Sequence, residues 1–169
     1  MITRRQLLQF GGCAAAGAGW PVTAVWADGP VARGLVLRHL VTGEHLAVEV
    51  GSATAPSAAL MTGIENVLRD PRTGERGRID PGLIRQLVEL AAGCTPLPVY
   101  DVLDAYRSPG RGAGIGLHHQ GRAIDLRLSG VACADLAIRA AAHGRGGVGH
   151  YRNADFVHLD TGAPRCWQG

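Results

Sequence analysis

Lysine is absent: all 17 basic residues among the 169 are arginine, a uniformity that reads as compositional bias rather than as function. Aromatic residues are scarce, at 5%, so aliphatic and small side chains must fill most of the interior. Of the four cysteines none stands in a Cys-x-x-Cys pair, which argues against a thiolate metal site or a thiol redox motif. No apolar run approaches the roughly 20 residues that span a bilayer. A formal net charge of +3 is too small to announce a nucleic-acid binder. No repeat or low-complexity linker interrupts the chain. What remains is 46% hydrophobic, rich in glycine (25 residues) and long enough for one domain with its own core.

The first residues read as an address. Arg4-Arg5 stands directly before a mildly apolar, Gly/Ala-rich segment, Phe10 to Val25, which ends in Val25-Trp26-Ala27 with small residues where a signal peptidase reads. This looks like a twin-arginine export signal over residues 1–27, leaving a domain over 28–169. Cys13 follows too short an apolar stretch for a lipoprotein acceptor. Removing 27 residues, with Arg4 and Arg5, leaves 142 residues and 15 arginines against 14 acidic groups, a net charge of +1. Such a domain has no electrostatic footprint for nucleic acid or an anionic membrane, and no stable membrane insertion is expected. An oxidising compartment permits a disulfide among Cys94, Cys133 and Cys166, but three thiols make at most one pair. They read as small core residues.

The patterning predicts a small α+β domain. Leu35–Val41 and His45–Val50 form a hairpin across Thr42-Gly43-Glu44. Residues 56–69 and the stretch from Pro81 to Gly93 carry apolar side chains at helical spacing. Strands are predicted at 98–104, 123–128, 148–151 and 155–159. A third helix spans about 131–143, with Ser129 as a candidate cap. Helices followed by strands interleaved with one helix suggest a small antiparallel sheet with flanking helices.

Chemistry-bearing residues gather in the last third: Arg107, His118/His119, Asp125, Asp155, and His158 with Asp160. Two histidines and a carboxylate from separate elements are the ligands a catalytic zinc site uses, leaving one position open for water. Spacing alone leaves open whether these histidines are ligands or structural groups.

The stretch Leu117-His118-His119-Gln120-Gly121-Arg122-Ala123-Ile124-Asp125 resembles the H-x-x-G-x-A-x-D signature of the zinc D-Ala-D-Ala carboxypeptidase and murein endopeptidase family, and within it the murein endopeptidase K-like branch. Leu68-Arg69-Asp70 with Arg72-Thr73-Gly74-Glu75, Tyr106-Arg107-Ser108-Pro109, Gly146-Gly147-Val148-Gly149, Phe156 to Gly162 and Arg165-Cys166-Trp167 agree with it in order and spacing. The resemblance implies a hedgehog/DD-peptidase-like single domain. It implies a periplasmic or otherwise exported peptidase that cuts peptide bonds of peptidoglycan through a metal-activated water.

It further implies one Zn2+ per chain on His118, Asp125 and His158, with the first histidine seven before the aspartate. Arg107 would meet the substrate, gripping a carboxylate or stabilising an oxyanion. Asp155, three before the last histidine, is the candidate general base; His150 and Asp160 are alternatives, Asp160 rather as a supporting residue. Three departures touch the substrate groove: Gly116 and Ala105 replace the usual serine and glycine, and the loop between Arg107 and His118 is short and lacks the usual asparagine. The alternative function is a zinc-containing but inactive peptidoglycan-binding module, as among hedgehog-type relatives of the fold.

Overall fold

A computed structural model describes residues 33–50, 56–92, 97–110 and 116–169. The leader at 1–27, Cys13, Gly93 and Cys94 lie outside the described residues. The chain runs β1 (Arg33–His39), β2 (His45–Val50), α1 (Ala58–Val67), α2 (Pro81–Ala91), β3 (Val99–Asp104), a single 3-10 turn (Leu117–Gln120), β4 (Ala123–Leu128), α3 (Cys133–His143), β5 (Gly147–Tyr151), β6 (Phe156–Asp160) and β7 (Arg165–Gln168).

The β1–β2 hairpin closes where expected, with Gly43 at φ +72° supplying the left-handed residue of the turn. Helix α1 starts at Ser57, whose hydroxyl accepts from the Leu60 amide at 3.2 Å. Helix α2 starts at Asp80, which accepts from the Gly82 amide at 2.8 Å, with Pro81 at the first helical position. Helix α3 departs from expectation. It begins at Cys133 after Ala132, without a side-chain cap, and the Ser129 hydroxyl instead donates to Asp101 at 3.2 Å.

The expectation of a small antiparallel sheet also needs correction. Among the described residues one seven-stranded mixed sheet forms, in the order β2-β1-β3-β4-β6-β5-β7. β1 and β3 pair parallel because α1 and α2 together make the crossover between them, and β7 adds to β5 in parallel as an edge strand. The α+β single-domain reading holds.

All three helices cover one face of this sheet, α1 over β2, α2 over β1 and α3 over β4, β5 and β6. Leu35, Leu37, Val102, Ile124, Leu126 and Val157 point into that layer and are fully buried. Tyr100 is buried with them, and its hydroxyl donates to the Leu87 carbonyl at 2.9 Å. Strand alternation then puts Asp125 on β4 and His158 on β6 on the face that no helix covers.

Gly121 joins the 3-10 turn to β4 at φ +64°. Its carbonyl accepts from the Asp80 amide at 2.9 Å, and a Cβ here would overlap the Arg78 carbonyl oxygen. Backbone conformation and close approach thus both require glycine at this motif position. Gly121→Ala should destabilise the fold by about 2–4 kcal/mol, adding a left-handed penalty to overpacking against backbone. Urea unfolding should show a lowered midpoint at an unchanged slope; an unchanged midpoint would contradict the assignment.

Candidate metal centre

Two strand registers and a 3-10 turn build the site. Asp104 on β3 stands opposite Asp125 on β4, after a bulge between Val102 and Asp104, and Asp125 stands opposite His158 on β6. Directly opposed residues share a face with Cβ atoms about 5 Å apart. The 3-10 turn supplies the third group. His118 turns inward and is 6% exposed, whereas the His119 ring folds back to accept from the Gly116 amide at 3.3 Å. A 3-10 turn advances by three residues rather than two, so neighbouring histidines leave it in different directions.

His118, Asp125 and His158 come together so that one ligand-type atom from each lies within 4.8 Å of the others. The His158 Nδ1 is 2.7 Å from one Asp125 oxygen, and the His118 Nε2 is 3.5 Å from the other. The two imidazoles meet edge to face, 5.1 Å between centroids.

The far nitrogen of each ring is tied down. His118 Nδ1 lies 2.6 Å from the Ala105 carbonyl, which can only accept, so this nitrogen carries a proton and Nε2 is the ring atom turned to Asp125. His158 stands between two carboxylates, its Nδ1 donating to Asp125 at 2.7 Å and its Nε2 lying 3.3 Å from Asp160, so a cation at the site would take the place of the Nδ1 proton. Asp160 is itself fully buried. It accepts from the Gly147 and Gly162 amides at 2.9 and 2.8 Å and from Arg165 at 2.6 Å. Burial pushes its carboxyl up, but Arg165 and the two amides outweigh burial and hold it below the usual carboxylate range. Burial opposes ionisation of Asp125 too, yet His118 and His158 hold its carboxyl well below that range. Two imidazole nitrogens and one carboxylate therefore converge with their outer partners in place. This donor set, two imidazole nitrogens and an oxygen without thiolate, suits a divalent ion with a position left open.

Arg107 borders the cluster. Its Nε donates to Asp104 at 2.7 Å, its Nη2 reaches Asp125 at 3.4 Å, and a third of the side chain stays exposed. Its own amide donates to the His118 carbonyl at 3.2 Å, which ties the two backbone segments together. The following residue is pinned as well: buried Asp70 accepts from the Ser108 amide at 3.0 Å and hydroxyl at 2.8 Å. Asp104 and Asp70 went unread in the sequence. An acid three residues before Arg107 was the available signal for the first.

Asp155 is not brought into this cluster. It sits at φ +50° in the turn between β5 and β6, its side chain 72% exposed and 3.7 Å from the Arg127 guanidinium. Arg127 also donates to the Asp155 and Ala154 carbonyls. His150 pairs with Val157 and so belongs to the opposite face of the sheet from His158. Cys133 is buried and Cys166 exposed, both as free thiols. Burial, with Asp155 nearby, pushes the Cys133 thiol up to about 11.

Comparison with known proteins accords with this geometry. The family model described as peptidoglycan L,D-endopeptidase MepK, of the peptidase M15 group, matches residues 28–167. The probable peptidoglycan L,D-endopeptidase MepK of Haemophilus influenzae is 32% identical over 152 residues, covering 83% of this chain and 81% of that protein. The peptidoglycan L,D-endopeptidase MepK of Escherichia coli K12 is 31% identical over 175 aligned positions, covering 97% and 96%. No solved structure matches. With the family model spanning nearly all of the chain beyond its first 27 residues, and the motif residues gathered at one point of the open sheet face, the chain belongs to the MepK family of M15 peptidases.

Proposed function

We propose that this protein is an exported, zinc-dependent peptidoglycan peptidase that hydrolyses peptide bonds in cell-wall cross-links or stem peptides. The L,D bonds named for its relatives are the first to test. One observation carries the reading: a ring nitrogen each from His118 and His158 and the carboxylate of Asp125 converge beside a partly exposed arginine, in a chain of this family. His118, Asp125 and His158 would hold one Zn2+ per chain, which when bound lowers the pKa of a water and polarises a carbonyl oxygen.

The chain's own groups supply the rest. Asp104 steers Arg107 so that its remaining guanidinium donors face the charge that builds on the carbonyl oxygen as water adds. A cation fixed there is worth more in the transition state than in the ground state. Asp155 takes the proton of the attacking water. Of the three candidate bases it alone keeps an exposed carboxylate: Asp160 is buried under four donors, and His150 lies on the other sheet face. To act, Asp155 must leave Arg127. That engagement is the observation favouring the second reading, a metal-bearing module that binds peptidoglycan without cutting it.

Peptidoglycan lies outside the cytoplasmic membrane, so the activity requires export, and Arg4-Arg5 supports the twin-arginine route. No helix among the described residues is long and apolar enough to cross a membrane.

Elemental analysis should find about one zinc per chain, lost in His158→Ala and His118→Ala but kept in His119→Ala. Loss in His119→Ala with retention in His118→Ala would move the motif by one residue. On defined muropeptides Arg107→Ala should lower kcat roughly 10²–10³-fold, the scale of one lost oxyanion donor. A rise in KM alone would confine Arg107 to gripping substrate. Asp155→Asn should lose roughly 10²–10⁴ in rate at full zinc content; near-normal turnover would remove it as the base. If the wild-type chain binds muropeptides but turns none over, the second reading stands. Arg4→Lys with Arg5→Lys should strand the protein in the cytoplasm, and unchanged periplasmic accumulation would exclude the twin-arginine route.

A further inference from the structure

The row that carries Asp125 and His158 continues across two more strands. His158 on β6 stands opposite Gly149 on β5, and Gly149 stands beside Trp167 on β7, all on the helix-free face. Adjacent strands lie about 4.8 Å apart, so the Trp167 backbone is two strands from His158. Its ring nevertheless reaches within 5.3 Å of the His158 ring, centroid to centroid. The gap at Gly149 is the reason: a Cβ there would stand 2.5 Å from the Trp167 ring carbon Cε2. The indole lies across the glycine and points inward, although β7 is an edge strand.

Its orientation is fixed from three sides. The indole Nε1–H donates to the Tyr151 hydroxyl at 3.1 Å, Tyr151 stacks on Phe156 at 4.5 Å, and the Arg165 guanidinium lies 5.0 Å from the Trp167 ring centre. Trp167 remains half-buried, and none of the described helices packs on this face, so the ring is not spent on the core. In a chain with few aromatics, three are ordered in one patch beside the three converging ligand-type groups. The polar handle of the indole is already satisfied, so what it offers outward is an apolar surface.

We propose that Trp167 is a substrate-contacting, specificity-determining wall of the cleft, taking the aliphatic side chain of the residue next to the scissile amide. This rests on the peptidase reading above. A peptide whose scissile amide lies at the His118–Asp125–His158 cluster has its two flanking Cα atoms only about 3.8 Å apart, within reach of a ring this close to His158. The wall selects aliphatic rather than anionic groups. The neighbouring cation, Arg165, is bound to Asp160 at 2.6 and 3.2 Å and is not free to hold a carboxylate.

The test combines kinetics with a direct binding signal. Trp167→Ala should raise KM roughly threefold to tenfold with kcat and zinc content nearly kept, the scale of one lost aromatic contact, while Trp167→Phe should recover most of it. Gly149→Ala should mimic Trp167→Ala by displacing the ring without removing it. With Trp20 and Trp26 replaced by Phe, Trp167 is the sole tryptophan. Its emission, recorded in the first turnover, should shift as a defined cross-linked muropeptide is added and saturate with the same midpoint as binding. Unchanged KM in Trp167→Ala, or unmoved emission while turnover saturates, would overturn the wall and leave the peptidase reading intact. A wild-type chain that neither binds nor cleaves muropeptides would sink that reading and this inference with it.

Discussion

Asp125 is a carboxylate only 8% exposed, and such a charge is costly unless opposite charge and hydrogen-bond donors surround it. Here two imidazoles are directed at it and hold it ionised despite burial, and an arginine reaches it as well. Each of those groups is oriented by something further out: His118 by the Ala105 carbonyl, His158 by Asp160, Arg107 by Asp104. Removing any outer partner frees a ring or guanidinium to rotate, so the geometry belongs to the set rather than to the three inner residues. The outer contact of His118 is to backbone. Alanine in place of the family's usual glycine at position 105 therefore leaves it intact.

The sheet makes this arrangement possible by separating two tasks. One face is aliphatic and covered by helices; the other is free to carry charge, because strand alternation keeps it out of the core. The row Asp104, Asp125, His158, Gly149 and Trp167 crosses five adjacent strands at one level. A register slip of one residue in any strand would send its member of the row into the helix layer. Loops before and after the row are pinned by backbone contacts, at Gly121 through Asp80 and at Ser108 through Asp70.

The hairpin and all three helices were legible in the sequence because their apolar spacing is regular and their ends carry turn residues. The mixed character of the sheet was not. Parallel pairing of β1 with β3 depends on where two intervening helices return the chain, which no local pattern records. β7 escaped because Arg-Cys-Trp-Gln is short, mostly exposed and without alternation. Ser129 misled because a hydroxyl near a helix start can also serve a neighbouring strand, here through Asp101. For the site, the family resemblance named His118, Asp125 and His158, which the fold gathers, where spacing alone left the histidines open. Parity could not tell His118 from His119, since the 3-10 turn obeys neither strand nor α-helix period. Asp155 was marked by its place three before His158, but that offset leaves it in a turn facing Arg127.

X-ray absorption at the zinc edge of the purified protein tests the central claim most directly, that two imidazoles and one carboxylate form a ready ligand set with an open position. The account predicts about one zinc per chain with nitrogen and oxygen neighbours at about 2.0–2.2 Å, the multiple-scattering signature of two imidazoles, and no sulfur. A sulfur shell at about 2.3 Å, or a single-imidazole spectrum, would contradict it.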